Sequence, residues 1–108
     1  MVRLSIRLCP RRGETKRLTA AMRLVMAQTL GARGCLGCDL SADLVNPDGL
    51  YYAEHWSTEV ELRERIRSHQ FLQFIAVLEV SAMPPRIDIE FVSSVRGLDY
   101  VGDVLDGA

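Results

Sequence analysis

The run LYYAEHW at residues 50–56 sets the architecture of this chain, because it is typical of a strand that leads directly into a helix. The run follows a turn sequence, residues 46–49, whose Asn, Pro, Asp and Gly are favoured in hairpin turns. It is followed by Thr58 and Glu61, which have the spacing of a capping box, so a helix is predicted to start there.

Tyr52, Glu54 and Trp56 occupy alternate positions of this strand, so we expect them to share one face of the sheet. An aromatic ring, a carboxylate and an indole would then form one wall of a ligand pocket near a strand end. Glu54 could orient a neighbouring group or pair with an arginine. Trp56 could equally fill the core, and His55 is expected on the opposite face.

Three further stretches alternate apolar and polar residues and are predicted to be strands: residues 2–9, 35–44 and 86–92. Helical spacing of apolar residues predicts a helix over residues 14–30, with Gly31 as its C′ glycine. In the second helical region Leu62 and Ile66 are the predicted inner stripe, and Ser68 is placed to cap a second segment that ends before Pro84.

The resulting order βαββαβ predicts an α+β, ferredoxin-like fold, with a four-stranded antiparallel sheet and helices on one face. We expect this domain over residues 1–96, and a C-terminal tail over residues 97–108 that packs on a partner subunit or the pocket mouth. The open sheet face would carry regularly placed charges that could meet a second copy, so a homodimer is predicted. These charged residues are Arg3, Arg7, Asp39, Asp43, Asp88 and Glu90.

Length and composition indicate one ordinary globular domain, with 108 residues, 48% hydrophobic and 25% charged. No apolar run approaches the roughly 18 residues that span a bilayer. The alternating N-terminus resembles neither a signal peptide nor a transit helix, so no membrane association and a cytoplasmic location are predicted. The arginine-rich composition suggests a bacterial source with a GC-rich genome.

Charge is unevenly distributed, because residues 1–38 carry eight Arg or Lys and one Glu, whereas residues 39–108 carry five Arg and thirteen Asp or Glu. A basic face could bind nucleic acid or an anionic ligand. The net charge of −1 favours pairing of the two halves, within or between subunits, and no nucleic acid partner is predicted.

Cys35 and Cys38 form a CxxC motif, but the sequence offers no second CxxC and no His pair to complete a zinc site. In a regular strand the two thiols would point to opposite faces, and a disulfide between them would be strained. We therefore expect these cysteines, and Cys9 at a strand end, to be structural and reduced, and no metal site is predicted.

Taken as a whole, the chain with these motifs resembles the antibiotic biosynthesis monooxygenase family of small dimeric α/β-barrel proteins. The resemblance rests on the GCLGC run at residues 34–38, the turn after Asn46, the Glu54-to-Trp56 strand end, the helix over residues 62–68 and Phe71, and the last strand. It covers roughly residues 2–94 and implies a pocket between sheet and helices to which Trp56 contributes. The family includes cofactor-free oxygenases of quinols and anthrones, and haem-degrading oxygenases.

Two positions depart from the family pattern. Many members have a His where this chain has Arg65, and in haem-degrading members a helix His is the axial ligand. Arginine stays protonated and cannot ligate iron, and the first-strand Asn of the haem degraders has no counterpart before Asn46. These differences favour a function without haem, although His69, one turn further along the chain, could substitute for the missing ligand.

The leading hypothesis is a cofactor-independent monooxygenase that acts on an electron-rich aromatic, with no cofactor required. Trp56, Tyr52 and Glu54 would bind the substrate, Arg65 would stabilise a phenolate, and His69 would act as general base. His69 could instead be a solvated helix residue. The alternatives are a non-catalytic dimeric module for a small hydrophobic or anionic ligand, and a structural dimer with a filled core.

Overall fold

The structure, a computed structural model, describes residues 1–79 and 81–107. Its elements follow in the order β1 (Val2–Leu8), α1 (Thr15–Leu30), β2 (Cys35–Ala42), β3 (Leu50–Trp56), α2 (Glu59–Arg67), α3 (His69–Leu78), β4 (Arg86–Phe91) and α4 (Leu98–Leu105). None of the helices in these two ranges is both long and apolar enough to cross a bilayer.

The strands form one antiparallel sheet in the spatial order β2-β3-β1-β4. β1 lies inside the sheet, where Leu4 pairs with Glu54 of β3 on one side and with Ile89 of β4 on the other. β2 and β4 are the edges. This strand order, with helices following β1 and β3, is the ferredoxin-like arrangement, so the predicted fold class is confirmed.

The core lies between one face of the sheet and helices α1 to α3. The even-numbered residues of β1 and β3 point into it, as strand alternation requires. Trp56, Tyr52 and Phe74 are its largest fully buried side chains. The remaining apolar core residues are Val2, Leu4, Ile6, Leu8, Leu18, Met22, Leu50, Leu62, Phe71 and Leu78.

The inner stripe of α2 differs from the prediction at one position. Leu62 is buried as expected, but Ile66 is 41% exposed and Arg65 is only 8% exposed. Arg65 follows Leu62 by three residues, so it points to the same side of the helix. An arginine can occupy this buried position because Glu54 of the sheet neutralises it.

The link between α1 and β2 also differs from the prediction, which placed the C′ glycine of α1 at Gly31. Gly31 caps α1 with φ −84°, so it does not adopt the left-handed conformation expected of a C′ glycine. That conformation occurs at Gly34, with φ +84°. The carbonyl of Gly34 accepts a hydrogen bond from the Ser57 amide at 2.9 Å. A Cβ at Gly34 would collide with the carboxylate of Glu61, so this glycine permits the close approach of β2 to α2.

β2 is not the regular strand that its alternation predicts. A β-bulge lies between Cys35 and Gly37, so that Cys35 pairs with Trp56 and Cys38 pairs with Glu54. Both cysteines therefore point to the face that carries the core, and the expectation that their thiols lie on opposite faces was wrong. β2 also ends at Ala42, which leaves Leu44 almost fully exposed beyond it.

The last strand and the tail are largely exposed. Ile87, Ile89 and Phe91 point to the core face as predicted, yet they are 44%, 39% and 64% exposed. The tail forms helix α4, and none of its described residues is buried. The radius of gyration is 16.1 Å, above the roughly 13 Å of a compact chain of this length. Strand β4 is thus largely uncovered, and helix α4, residues Leu98–Leu105, is not packed into the core. We call α4 the arm.

The opposite face of the sheet carries the predicted charges, and several of them are paired. Arg3 Nη2 lies 2.8 Å from Glu90 Oε2, and His55 Nε2 lies 2.8 Å from Asp39 Oδ2. Ala53 lies opposite Asp39 on the same face and is buried. These pairs between neighbouring strands agree with the sequence-based expectation that charges of the chain neutralise each other rather than form a free basic face.

Candidate functional site

Glu54 is the centre of a fully buried network of polar side chains. Arg65 Nε and Nη2 donate to its Oε1 and Oε2 at 3.2 and 2.9 Å, which makes a bidentate ion pair. Tyr52 donates its hydroxyl to Oε2 at 2.7 Å, and Trp56 donates its indole N–H to Oε1 at 3.1 Å. Glu54 therefore accepts four hydrogen bonds, and each of its oxygens accepts two.

Local sequence explains how these side chains meet. Tyr52, Glu54 and Trp56 lie two residues apart on β3, so the strand presents them on one face. The capping box of Thr58 and Glu61 starts α2 immediately after the strand, which brings its buried side back over that face. Their shared placement, predicted from the sequence, is confirmed.

The turn at Ser68, between α2 and α3, brings two aromatic rings against the guanidinium of Arg65. Ser68 has an extended backbone, ends α2 and caps α3 by accepting a hydrogen bond from the Phe71 amide at 3.2 Å. The turn places the rings of Phe71 and Phe74 with their centroids 5.3 and 5.9 Å from the Arg65 carbon Cζ. Cation–π contact with two rings and an ion pair with Glu54 hold the guanidinium in one orientation. The predicted role of Ser68 as a cap is confirmed.

The network keeps the guanidinium of Arg65 charged and the hydroxyl of Tyr52 neutral. Burial alone would lower the pKa of Arg65, but the hydrogen bonds and charge of Glu54 outweigh it and raise that pKa. Burial raises the pKa of Tyr52 far above its usual value, and the negative charge of Glu54 raises it further. The raised pKa keeps Tyr52 protonated as a hydrogen-bond donor to Glu54.

An open cleft of about 180 Å³ lies beside this network, between the end of α1 and helices α2 and α3. Trp56 and Arg65 form its floor. Its other lining residues are Gln28, Thr29, Ala32, Arg33, Glu61, Glu64, Ser68 and Gln70. The volume is below the roughly 300–1,000 Å³ of pockets for drug-sized ligands. The cleft therefore has the size to take one ring, with any larger substituent extending into solvent.

The sequence-predicted site residues divide into three groups in the structure. Trp56 and Arg65 line the cleft. Tyr52 and Glu54 are fully buried behind them, so neither forms a wall of this cleft. His69 is exposed at the start of α3, and its Nε2 lies 3.4 Å from Gln73 Nε2.

Arg65 and His69 are four residues apart, a spacing that brings side chains together only within one continuous helix. The extended backbone at Ser68 breaks the helix between these two positions. His69 is consequently not among the residues that line the cleft.

Comparison with known proteins places this site in a family. The model of the family described as "Antibiotic biosynthesis monooxygenase" matches residues 1–77, which include β3, α2 and every residue that lines the cleft. The chain belongs to the antibiotic biosynthesis monooxygenase family. No curated protein matches the sequence.

Solved structures from several organisms share the fold of this chain. A candidate antibiotic biosynthesis monooxygenase from Deinococcus radiodurans has a TM-score of 0.83 and 19% identity, over 90% of this chain and 97% of that chain. A protein of Mycobacterium tuberculosis has a TM-score of 0.80 and 21% identity, over 89% and 98%. A conserved protein of Methanosarcina mazei has a TM-score of 0.76 and 23% identity, over 82% and 89%. At these identities the likeness shows the fold.

The haem chemistry of some antibiotic biosynthesis monooxygenase family members does not fit this site. Arg65 occupies the helix position that the resemblance assigned to a ligand His, and its guanidinium is committed to Glu54. His69 lies outside the cleft. As a separate observation, the part of the chain that the structure describes has no group of three or more His, Cys, Asp or Glu side chains that could hold a free metal ion.

Several cleft residues escaped sequence reasoning because they come from the end of α1 and the turn that follows it. Gln28 and Arg33 lie near the end of that helix and share no motif with β3, so only the packing of α1 against the sheet brings them to Trp56. Glu61 had a signal, since it belongs to the capping box. Its pKa is lowered mainly by the Ser57 hydroxyl and also by Thr58 and Arg33.

Proposed function

We propose that this chain is a cofactor-independent monooxygenase that oxidises an electron-rich aromatic of the quinol or anthrone type in the cleft above Trp56. The observation that carries the proposal is the buried Glu54 network, which fixes an indole and a guanidinium side by side at the floor of an open cleft. Membership of a monooxygenase family supports oxygen chemistry. The volume of the cleft favours a substrate that inserts one ring.

The proposed reaction requires few protein groups. A base removes a phenolic or benzylic proton, and the resulting anion transfers electrons to O₂. For an anthrone, one oxygen atom becomes the new carbonyl oxygen and the other leaves as water with the two hydrogens of the oxidised carbon. The protein contributes orientation and stabilisation of the developing negative charge.

Arg65 is the group that would stabilise the anion. Its Nε and Nη2 donate to Glu54, so Nη1 is the nitrogen that would contact a phenolate in this proposal. Because the buried ion pair keeps the guanidinium oriented, no reorganisation is needed when charge develops. Tyr52 and Glu54 act in this proposal as positioning residues behind Trp56 and Arg65.

Proton removal is assigned to Glu64 rather than His69. Glu64 lines the cleft, whereas His69 does not. The other carboxylate of the cleft, Glu61, is engaged by the Ser57 and Thr58 hydroxyls of the capping box. Proximity is the first requirement for a general base, so Glu64 is the better candidate.

Oxygen uptake by metal-free protein tests this proposal, with a panel of quinols and anthrones and no added cofactor. We expect uptake above the autoxidation rate, a large loss in Trp56→Phe and Glu64→Gln, and no loss in the matched control His69→Gln. Equal activity of all variants would refute the assigned site.

A second candidate function is a non-catalytic dimeric module that binds a small hydrophobic or anionic ligand. It is favoured by the composition of the cleft, whose lining residues include no His, Cys or Lys to act as a base near neutral pH. Saturable quenching of Trp56 fluorescence by quinols, without oxygen uptake, would select this function over the enzyme.

We further propose that the chain acts in the cytoplasm as a homodimer joined through the open sheet face. Ser5 and Ala53, at the centre of that face, are small enough to let a second sheet approach closely. The arm α4 would then pack on the partner subunit. Leu98, Val101 and Leu105 recur along one side of it, and Asp99 and Asp103 lie on another.

A further inference from the structure

Cys35 and Cys38 form a pair of thiols that the proposed function does not use. Their Sγ atoms lie 3.9 Å apart, and both side chains are half-buried. The Sγ of Cys38 also lies 3.9 Å from the Tyr52 hydroxyl, which donates to Glu54. Cys35 pairs with Trp56 across the sheet. The thiols therefore lie next to the residues that support the cleft.

The β-bulge is what brings these thiols together. In a regular strand, residues three apart point to opposite faces. The bulge absorbs one residue, so that both thiols emerge on the core side of β2.

The surrounding backbone has room for the thiols to approach further. A disulfide requires the sulfur atoms to close from 3.9 Å to about 2.0 Å. β2 is an edge strand bonded only to β3, so it can shift without breaking a second ladder. Gly37 lies between the cysteines, and even an added Cβ there would meet no atom within 4 Å. An unconstrained glycine in an edge bulge is well suited to such a local adjustment.

We propose that Cys35 and Cys38 are a redox-active dithiol that closes to a disulfide by exchange with a small oxidised disulfide such as oxidised glutathione. The Cys35 thiolate attacks one sulfur of that disulfide and releases one thiol, leaving a mixed disulfide on Cys35. The Cys38 sulfur then attacks the Cys35 sulfur and releases the second thiol. Two protein thiols are thus oxidised and one small disulfide is reduced, with both thiol protons ending on the released thiols.

The environment of the pair explains why Cys35 attacks first and Cys38 closes the disulfide. Burial raises the pKa of Cys38 to about 12, and the neighbouring Cys35 adds to the shift. Cys38 is therefore a poor attacking group, because the thiolate is the nucleophile. It is well placed for the second step, since that step occurs within the protein at 3.9 Å. In a reducing compartment the pair would rest as thiols and close transiently.

The test uses a Cys9→Ser variant, which leaves only the pair, equilibrated with reduced and oxidised glutathione at several ratios. We expect a species lighter by two hydrogens in mass spectrometry, with neither thiol open to alkylation. The single variants Cys35→Ser and Cys38→Ser should not form it, and Cys38→Ser should instead retain one glutathione on Cys35. Since Cys35 pairs with Trp56, closure should also change the fluorescence of the single tryptophan.

Two results in the Cys9→Ser variant would overturn the proposal. One is a folded variant whose thiols stay reduced at every ratio while the same chain in guanidinium chloride forms the disulfide. The other is accumulation of the mixed disulfide without closure. Peptide mapping of the oxidised wild-type chain provides an independent measurement if Cys9→Ser folds poorly. A bond from Cys9 to either partner, rather than between Cys35 and Cys38, would likewise contradict the assignment.

Discussion

The two halves of the core-side sheet face differ in how completely they are covered. Over β3, helices α1 to α3 bury Trp56 and the Glu54–Arg65 pair, and each polar group of the network has a partner. Over β4, Ile87, Ile89 and Phe91 remain 39% to 64% exposed, and helix α4 extends away with no buried residue. The family model matches through residue 77, which includes the covered half and stops before β4.

This difference indicates a division of roles. A satisfied, rigid network next to a cleft is what a binding or catalytic site requires. Exposed apolar side chains on a strand and on an outlying helix are what an assembly surface requires. The covered half is accordingly assigned the chemistry. The open half, with helix α4, is assigned a contact that supports the proposed dimer, whose main interface is the opposite, charged sheet face.

The largest expected effect comes from removing the charge at the centre of the covered half. Glu54→Gln leaves the buried guanidinium of Arg65 without its counter-ion, so the free energy of unfolding should fall by about 3–5 kcal/mol. Urea denaturation measures this change. The matched control is Glu90→Gln, which removes an exposed pair with Arg3 and should leave the unfolding midpoint almost unchanged. Equal effects of the two variants would contradict the distinction between the halves.

A smaller loss is expected at the contact between β2 and α2. Gly34→Ala places a Cβ at φ +84°, where it collides with Glu61. The stability should fall by about 1–3 kcal/mol. Gly37→Ala, three residues further on and inside β2, is the control, because its Cβ would meet nothing within 4 Å. A more damaging Gly37 variant would show that β2 is placed by contacts other than those at Gly34.

The open half should respond in assembly rather than in folding. Deleting residues 97–108 removes the apolar side of α4, and the dimer dissociation constant should rise by about tenfold or more, while the unfolding of the domain stays unchanged. Sedimentation at graded concentrations measures this. The point variant Val101→Asp should reproduce the effect, whereas Asp99→Asn should not. Unchanged dimerisation of the deletion variant would disprove the proposal that α4 packs on the partner subunit.

The smallest effect is a pH dependence that belongs to Tyr52. Its pKa is raised on folding by burial and by Glu54, so the stabilisation is complete below the unfolded tyrosine pKa of about 10. Stability is lost as the pH rises above that value, by up to about 1.4 kcal/mol per pH unit. Urea midpoints above about pH 10 should therefore fall more steeply for wild type than for Tyr52→Phe. Parallel slopes would show that Tyr52 is not coupled to the fold.

Most of the fold followed from local patterns. Alternation located the strands, the capping box started α2, and Ser68 divided the helix as predicted. The shared face of Tyr52, Glu54 and Trp56 also followed, because strand geometry alone determines it. The burial of Arg65 did not, since hydrophobic spacing treats an arginine as an outer residue unless its partner is known.

Features that depend on tertiary contacts could not be predicted in this way. The bulge at Cys35 arises from register with β3, so strict alternation assigned the two thiols to opposite faces. The cleft residues of α1 meet Trp56 only through packing. His69 was assigned a role from its chemical type, but the structure leaves it exposed and outside the cleft.

The most direct test of the division between the halves is a titration followed by amide NMR under anaerobic conditions, with a naphthoquinol that cannot turn over without O₂. The single tryptophan contributes one indole N–H signal, from the group that donates to Glu54. We predict a saturable shift of that signal together with the amides of Arg33, Ser68 and Gln70. Shifts confined to β4 and α4, with the indole signal unmoved, would contradict the account.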